Sequence, residues 1–542
     1  EVEFFPGNFS ARFGRGTGGV VNVRLRSLEP DQIHGALDVS LLDVGLYLEA
    51  PLGDNAAVAV AGRRSYLDAV LEGVLSEDGD TELSTAPEWY DYQLILEARL
   101  HPQHRLRLFG IGAFDALELR TGTAADQTLE ATSNAIGSRS EYQRVSLQYV
   151  YTDSLWTNDL RIGVGRDQGR NLAFGLIDFQ FELLEVSLRD EARVRANSAL
   201  ALVFGVDGFT RRTNADVTTI RPSREGDPPG ALDLDDERLS VVVAQDEAQL
   251  AAYVEAEWTP SEALTIVPGV RVDYFSLIDV VTVDPRVQAR LRLHERLELS
   301  AGAGLFHQPP FIDEVFEPFG NPDLGPERAL HVSLGARVRL LDSLSADVTL
   351  FYKDLDQVVS RSNGDEVLAN DGAGRVYGLE IFLRQDLAYN LSGWLSYTLS
   401  RAERTDEAGG AVRLFDFDQT HLLALLLRYQ LPDDWAVGVR WRFNSGTPYT
   451  PILGGTFIES EDGYDPSVGS LNSARLGPFH ALDARIDKKW YFDQWALTAY
   501  LSVSNAYNRT NPQGLAYSYD FQEVEVVGGL PILPILGVEG TF

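Results

Sequence analysis

Runs of about ten residues with every second side chain apolar recur through almost all of this chain, and two kinds of connection alternate between them. One kind is a tight turn: Leu52-Gly53-Asp54, His101-Pro102-Gln103, Thr152-Asp153-Ser154, Thr259-Pro260-Ser261, Pro432-Asp433-Asp434 and Phe492-Asp493-Gln494. The other is a long polar segment, as in Leu67–Pro87, Arg211–Val243, His307–Pro326 and Ser445–Pro478. A soluble sandwich has no reason to keep its long loops on one side. A transmembrane β-barrel does, because one rim carries short periplasmic turns and the other faces the cell exterior.

The length of 542 residues permits several domains, but a large barrel is a single sheet and escapes that estimate. No run of about 18 apolar residues exists, so helical membrane spans are excluded. Modest hydrophobicity is no obstacle, since only alternate residues of a barrel strand face lipid. Cysteine is absent, which removes disulfides and thiolate metal sites. Nearly every basic residue is Arg, with Lys only at Lys353, Lys488 and Lys489, which reads as genome composition rather than mechanism.

The formal charge of −34 argues against nucleic acid as a partner, because a phosphate backbone calls for a basic stripe. Acidic residues crowd the long segments: Glu72, Glu77, Asp78, Asp80 and Glu82; Asp227, Asp233, Asp235, Asp236 and Glu237; Glu459, Glu461, Asp462 and Asp465. They form a solvated, self-repelling surface. Carboxylates are also hard ligands for divalent cations, but no segment has the fixed spacing of a calcium loop. The eight His residues are scattered without metal-ligand spacing, and His101 and His104 flank one tight turn. No Ser-His-acid arrangement stands out. The expectation is a protein that is not an enzyme and holds no metal or cofactor.

The faces are legible from parity. In Arg286–His294, Val287, Ala289, Leu291 and Leu293 alternate with Arg286, Gln288, Arg290, Arg292 and His294. Leu297, Leu299, Ala301 and Ala303 likewise oppose Arg296, Glu298 and Ser300. Leu250, Ala252, Val254, Ala256 and Trp258 oppose Gln249, Tyr253, Glu255 and Glu257. An Arg facing lipid at the midplane costs about 2–4 kcal/mol, so the charged set faces a watery lumen or a plug. Trp156, Trp258, Trp435, Trp490 and Trp495 all sit close to tight turns, as an interfacial aromatic belt requires.

Counting runs from Gln32 onward predicts about 22 strands, with long loops after every odd strand except the first. A lumen of that size is too wide for side chains to fill and calls for a plug. The final run places Leu536, Val538, Gly540 and Phe542 on one face. That strand must close onto the first one, because an open strand edge cannot survive in hydrocarbon. A terminal aromatic of this kind looks like the signal read by the barrel-assembly machinery.

Near the start, Gly14, Gly16 and Gly19 make a literal G-x-G-x-x-G. A dinucleotide fingerprint needs a helix after it. Here Val20-Val21-Asn22-Val23-Arg24-Leu25-Arg26, an alternating strand, follows instead, so the glycines serve tight turns. The stretch from Phe5 to Arg26 resembles the closing part of the plug domain of TonB-dependent outer-membrane receptors. Gly320-Asn321-Pro322-Asp323-Leu324-Gly325-Pro326-Glu327 resembles that family's loop-to-strand signature, and Val376-Tyr377-Gly378-Leu379-Glu380 resembles its next strand. Phe479-His480-Ala481-Leu482-Asp483 and Val503-Ser504-Asn505-Ala506-Tyr507-Asn508 resemble its last barrel strands. The resemblance covers essentially the whole chain.

The resemblance implies an all-β protein of the Gram-negative outer membrane. Residues 1–28 would be the C-terminal remnant of a plug domain and residues 29–542 a 22-stranded antiparallel barrel. The TonB box and most of the plug would then precede Glu1. It further implies active import of a scarce nutrient, of the ferric siderophore, cobalamin, haem or oligosaccharide class, driven by TonB, ExbB and ExbD. The implied partners are the bilayer and its lipopolysaccharide, TonB through a segment upstream of Glu1, the barrel-assembly machinery through the strand ending at Phe542, and an unidentified ligand. Matched to the family pattern, Arg12 is expected to be the plug arginine of a plug–barrel ionic lock, with Glu327 and Glu380 as its barrel partners. The alternative is a passive channel or structural surface barrel. Phe306, Phe311, Phe316, Phe319, Tyr449, Phe457 and Tyr464 fall in the outer loops, where they either stack on a ligand or pack the loops together.

Overall fold

The computed structural model describes residues 2–28, 30–67, 81–121, 135–173, 177–219, 225–226, 228, 239–317, 320–361, 368–459 and 463–542. Its wall is a closed antiparallel barrel of 22 strands, each hydrogen-bonded to its neighbours in sequence. The ring closes where Leu533–Thr541 pairs with His34–Ser40, Ala36 opposite Thr541 and Ser40 opposite Gly537. Phe542 seals the seam, exchanging backbone hydrogen bonds with Gly35 of 2.9 and 3.0 Å. Its ring lies where a Cβ on residue 35 would sit, 2.4 Å away, so the seam needs glycine there.

Parity sets the two faces as expected. Leu250, Val254 and Trp258 are exposed on the outer face, while Gln249, Tyr253 and Glu255, of the opposite parity, are buried. Arg286 is buried and its neighbour Val287 exposed. No helix among the described residues is long and apolar enough to cross a membrane; strands do the crossing. Trp258, Trp435, Trp490 and Trp495 are exposed on the outer face beside the short-turn rim, forming the belt.

Two expectations about the strands need correction. Those from Thr81–His101 to Leu239–Ser261 run to 18–23 residues rather than ten, so they rise well above the membrane. They take in the ends of the long segments Leu67–Pro87 and Arg211–Val243, because outward pairs such as Arg166–Glu182 and Arg170–Asp178 continue the ladder once lipid has ended. The outer connections also include short ones besides the first: four residues, 276–279, join Leu264–Phe275 to Val280–His294. Three residues, 174–176, lie between Trp156–Ala173 and Ile177–Arg195.

One polar pair breaks the lipid-facing surface. Asp190 falls on the outer face between Leu188, which is exposed there, and Ala192. Asn158 on the adjoining strand donates to its Oδ1 at 2.6 Å.

Outside the wall, the outer loops carry small hairpins, including Ile452–Ile458 with Gly463–Val468 and Pro512–Tyr517 with Val524–Gly528. Buried Arg413 ties three segments together, pairing with Glu225 at 2.8 Å and Asp406 at 2.6 Å, while Asn472 donates to Asp416 at 2.6 Å. Residues 2–28 take no part in the wall. Val2–Phe5 pairs only with Val20–Val23, in a sheet of their own.

Candidate functional site

Between those two short strands, residues 6–19 form a compact turn that meets inward-facing side chains of the wall. Phe9 anchors it, fully buried, with its ring centroid 4.5 Å from that of Phe306. Phe5, Phe13 and Val20 pack around the same cluster with Ala329 and Leu355. Asn8 and Arg15 adopt positive φ, 46° and 62°, which turns the chain back on itself.

Two ionic groups hold the turn. Arg12 forms a two-point contact with Glu191, its Nε donating to Oε2 at 2.7 Å and its Nη2 to Oε1. Tyr253 donates its hydroxyl to the same carboxylate at 2.7 Å. Arg15 and Arg271 alternate with two carboxylates: Arg15 reaches Asp207 at 2.6 Å and Asp273 at 3.4 Å, and Arg271 reaches them at 2.8 and 2.7 Å. Arg271 and Asp273 are each 1% exposed, so neither charge has water as an alternative partner.

The wall also grips the turn by its backbone. Arg286 donates from Nη1 to the carbonyls of Ser10 at 2.9 Å and Phe13 at 2.6 Å, stacked on Phe306 at 4.1 Å. Its Nη2 meets Asp284 at 3.1 Å, which in turn holds His307 Nδ1 at 2.5 Å. Lys353 Nζ donates to the carbonyls of Pro6 and Gly18, 2.8 and 2.7 Å away, pinning both arms. His331 bridges the two arms, its Nε2 donating to the Thr17 carbonyl at 2.9 Å and its Nδ1 accepting from the Asn8 amide at 3.4 Å. Glu255 accepts from Ser10 Oγ at 2.7 Å and from the Ala11 amide at 2.5 Å. Charge-assisted hydrogen bonds contribute about 1.5–3 kcal/mol each where water is excluded.

The expected lock is not assembled as the resemblance implied. Arg12 pairs with Glu191 and with neither Glu327 nor Glu380. Glu327 accepts the Val359 amide at 2.9 Å. Glu380 faces the charge of Lys353 on the adjoining strand. The reason is position on the ring. Five wall strands (200–219, 239–261, 264–275, 280–294 and 297–308) separate Ile177–Arg195, which carries Glu191, from Glu327–Leu341. At about 4.8 Å per strand that arc is far beyond an Arg side chain.

Of the aromatic candidates, Phe306 does not line the outer mouth: it is fully buried beneath the turn, stacked on His331 at 4.3 Å. Phe311 and Phe457 are exposed, Phe316 and Tyr449 half-buried, and Phe319 lies outside the described residues. Phe457 and Tyr464 meet at 5.2 Å, and Tyr464 meets Tyr519 at 5.6 Å, so Tyr519 joins a cluster that did not include it in sequence. Glu72, Glu77, Asp78, Asp80, Asp227, Asp233, Asp235, Asp236, Glu237, Glu461 and Asp462 also fall outside the described residues, as does the side chain of Glu82. Among the described residues no three or more His, Asp or Glu side chains group to hold a metal.

Glu191, Asp207, Arg271, Asp273, Asp284 and Lys353 were not singled out from sequence. Their signal was inward parity, which they share with dozens of other lumen residues.

Solved structures share this architecture. The ferric enterobactin receptor PfeA of Pseudomonas aeruginosa superposes with a TM-score of 0.69 at 16% identity, over 100% of this chain and 84% of that one. The siderophore receptor PirA of Acinetobacter baumannii gives 0.72 at 15%, over 100% and 85%. FpvA of P. aeruginosa, bound to heterologous pyoverdines, gives 0.74 at 14%, over 100% and 76%. At these identities the likeness is one of fold. Comparison with curated protein sequences found no match. The family model described as TonB dependent receptor-like, beta-barrel matches residues 77–506. With that match across most of the barrel, the chain belongs to the TonB-dependent receptor family of β-barrels in the Gram-negative outer membrane, a family of nutrient receptors.

Proposed function

We propose that this receptor imports a scarce nutrient of the ferric siderophore, cobalamin, haem or oligosaccharide class with energy from TonB, ExbB and ExbD. Residues 1–28 act as the closing end of its plug and residues 29–542 as its barrel. The observation that carries the reading is the seating of residues 6–19 on buried, inward-facing charges, which a passive pore has no use for. The lock of this chain is then Arg12 with Glu191, and Arg15 with Asp207 and Asp273 around Arg271. Siderophore receptors among the structural neighbours favour the ferric siderophore class. The group formed by exposed Phe457 and Tyr519 with half-buried Tyr464 is the candidate capture surface. Phe542, closing the ring, serves recognition by the barrel-assembly machinery, and the upper outer face meets lipopolysaccharide.

The test is uptake by cells producing the full-length receptor, with and without TonB, offered radiolabelled ferric siderophores, haem, cobalamin and oligosaccharides. TonB-dependent accumulation of one class is expected. Accumulation that is indifferent to TonB for small solutes of every class would instead establish the passive channel.

A further inference from the structure

Among the described residues, the outer hairpin Pro512–Tyr517 with Val524–Gly528 is braced on one side and bare on the other. At its tip, Tyr519 packs on Tyr464 of the neighbouring hairpin at 5.6 Å. Its returning arm, Val524–Gly528, is exposed at all five residues, with Val524, Val526 and Val527 at 57%, 51% and 46%. Among the described residues its single strand partner is Pro512–Tyr517. The arm leads into Leu533–Thr541, whose neighbour in the wall is His34–Ser40. The outer connection there is the turn Leu41–Leu42, too short to reach up and cover the edge.

The direction of the free backbone groups follows from the ladder. The Ser518 amide donates to the Glu523 carbonyl at 3.0 Å, which makes that a hydrogen-bonded pair. Ala516 opposite Glu525 and Gly514 opposite Val527 continue it. In an antiparallel pair the intervening residues turn their amides and carbonyls the other way. Val524, Val526 and Gly528 therefore present theirs to the open edge.

Natural sheets blunt such edges with Lys, Pro, bulges or cover. This one has a register shift at Pro512–Gly514, in the partner arm, but its own free edge carries three valines, no Lys or Pro and, among the described residues, no covering strand, with exposed Glu523 and Glu525 beside them. We propose that Val524–Gly528 is a docking edge for an extended segment of another protein at the cell surface, added as a further strand, with apolar side chains alternating with basic ones. The ladder supplies affinity, the valines take the apolar positions, and the two carboxylates select Lys or Arg. The inference rests on the fold and is independent of which nutrient is carried or whether TonB drives it.

The probe is a fluorescein-labelled peptide alternating Val and Lys, titrated into the detergent-solubilised receptor and followed by anisotropy. A second peptide has Pro at alternate positions, keeping the charge but unable to form a ladder. The alternating peptide should bind at least about tenfold more tightly than the Pro peptide. Val526→Pro should weaken it by a similar factor, because it deletes an edge-facing amide and leaves the hairpin's own ladder intact. Unchanged heat-modifiability on gels will show that the variant barrel is folded. Glu523→Gln with Glu525→Gln should weaken binding and flatten its salt dependence. Equal binding of both peptides, indifference to Val526→Pro, or no binding at all would overturn the proposal. So would receptor dimers that Val526→Pro dissolves, since the edge would then be occupied by a second copy of this chain.

Discussion

The guanidinium of Arg271 lies directly against Gly14: a Cβ at residue 14 would stand 2.2 Å from Arg271 Nε. The glycine is there for space, since its φ is not in the left-handed region. It lets a buried cation cross the turn and reach Asp207 and Asp273 together. Gly14→Ala should therefore push Arg271 off its carboxylates and loosen the seated turn without unfolding the wall. Separating a buried pair costs about 3–5 kcal/mol. Higher conductance in planar bilayers is the expected readout, and an unaltered conductance would show that Arg271 has room to move aside.

Arg12 and Glu191 should behave as the coupled pair. Glu191→Ala should speed hydrogen exchange at the amides of residues 9–15. Glu327→Ala should leave those amides unchanged, because Glu327 binds Val359 instead. Arg12 is 34% exposed, so solvent screening holds the coupling in a double-mutant cycle to about 1 kcal/mol. Acceleration by Glu327→Ala equal to that by Glu191→Ala would restore the lock implied by the family resemblance.

Asp190 carries a cost that Asn158 only partly offsets. A charged side chain on the lipid face destabilises a barrel, less for a carboxylate than the 2–4 kcal/mol typical of Arg. Asp190→Leu should raise the stability of the barrel in lipid by about 1 kcal/mol and leave its assembly intact. Chemical denaturation in phospholipid vesicles measures this. A loss of stability would mean that the carboxylate has a partner in the membrane.

Glu314, in the short helix Ile312–Val315 of an outer loop, has its carboxyl pushed up to about 7 by burial, with Asp313 and Glu327 adding to the rise. A carboxyl raised in the folded loop binds its proton more tightly there than in the opened one. The loop is thus most stable below the ordinary value of 4.5, loses stability as pH rises toward 7, and changes little above that. Hydrogen exchange across residues 311–317, corrected for intrinsic rates, should show more protection at pH 5 than at pH 8. Glu314→Gln should keep the low-pH protection at both, and an identical pH response in that variant would assign the effect to another group.

Much of the wall could be read from the chain alone. Period-two alternation decides which side of each strand meets lipid, because a one-residue error would place Arg286, Arg290 and Arg292 in hydrocarbon. Turn chemistry and loop length sort the two rims, and the terminal aromatic marks the closing strand. These are local signals, each contained within a dozen residues. The strand lengths above the membrane were not legible, because beyond the hydrocarbon both faces are wet and the alternation that marks a strand fades into polar sequence.

The seat was decided by tertiary structure. Arg12 and Glu191 are 179 residues apart, and Lys353 lies 347 from the Pro6 carbonyl it holds. Which of many inward-facing charges a turn will meet depends on the angle at which it enters a wide ring, and no spacing in the chain encodes that angle. Backbone carbonyls, which accept from Arg286 and Lys353, carry no sequence signature at all. Local chemistry set the faces of the barrel, and only closing the ring chose which of those faces meet.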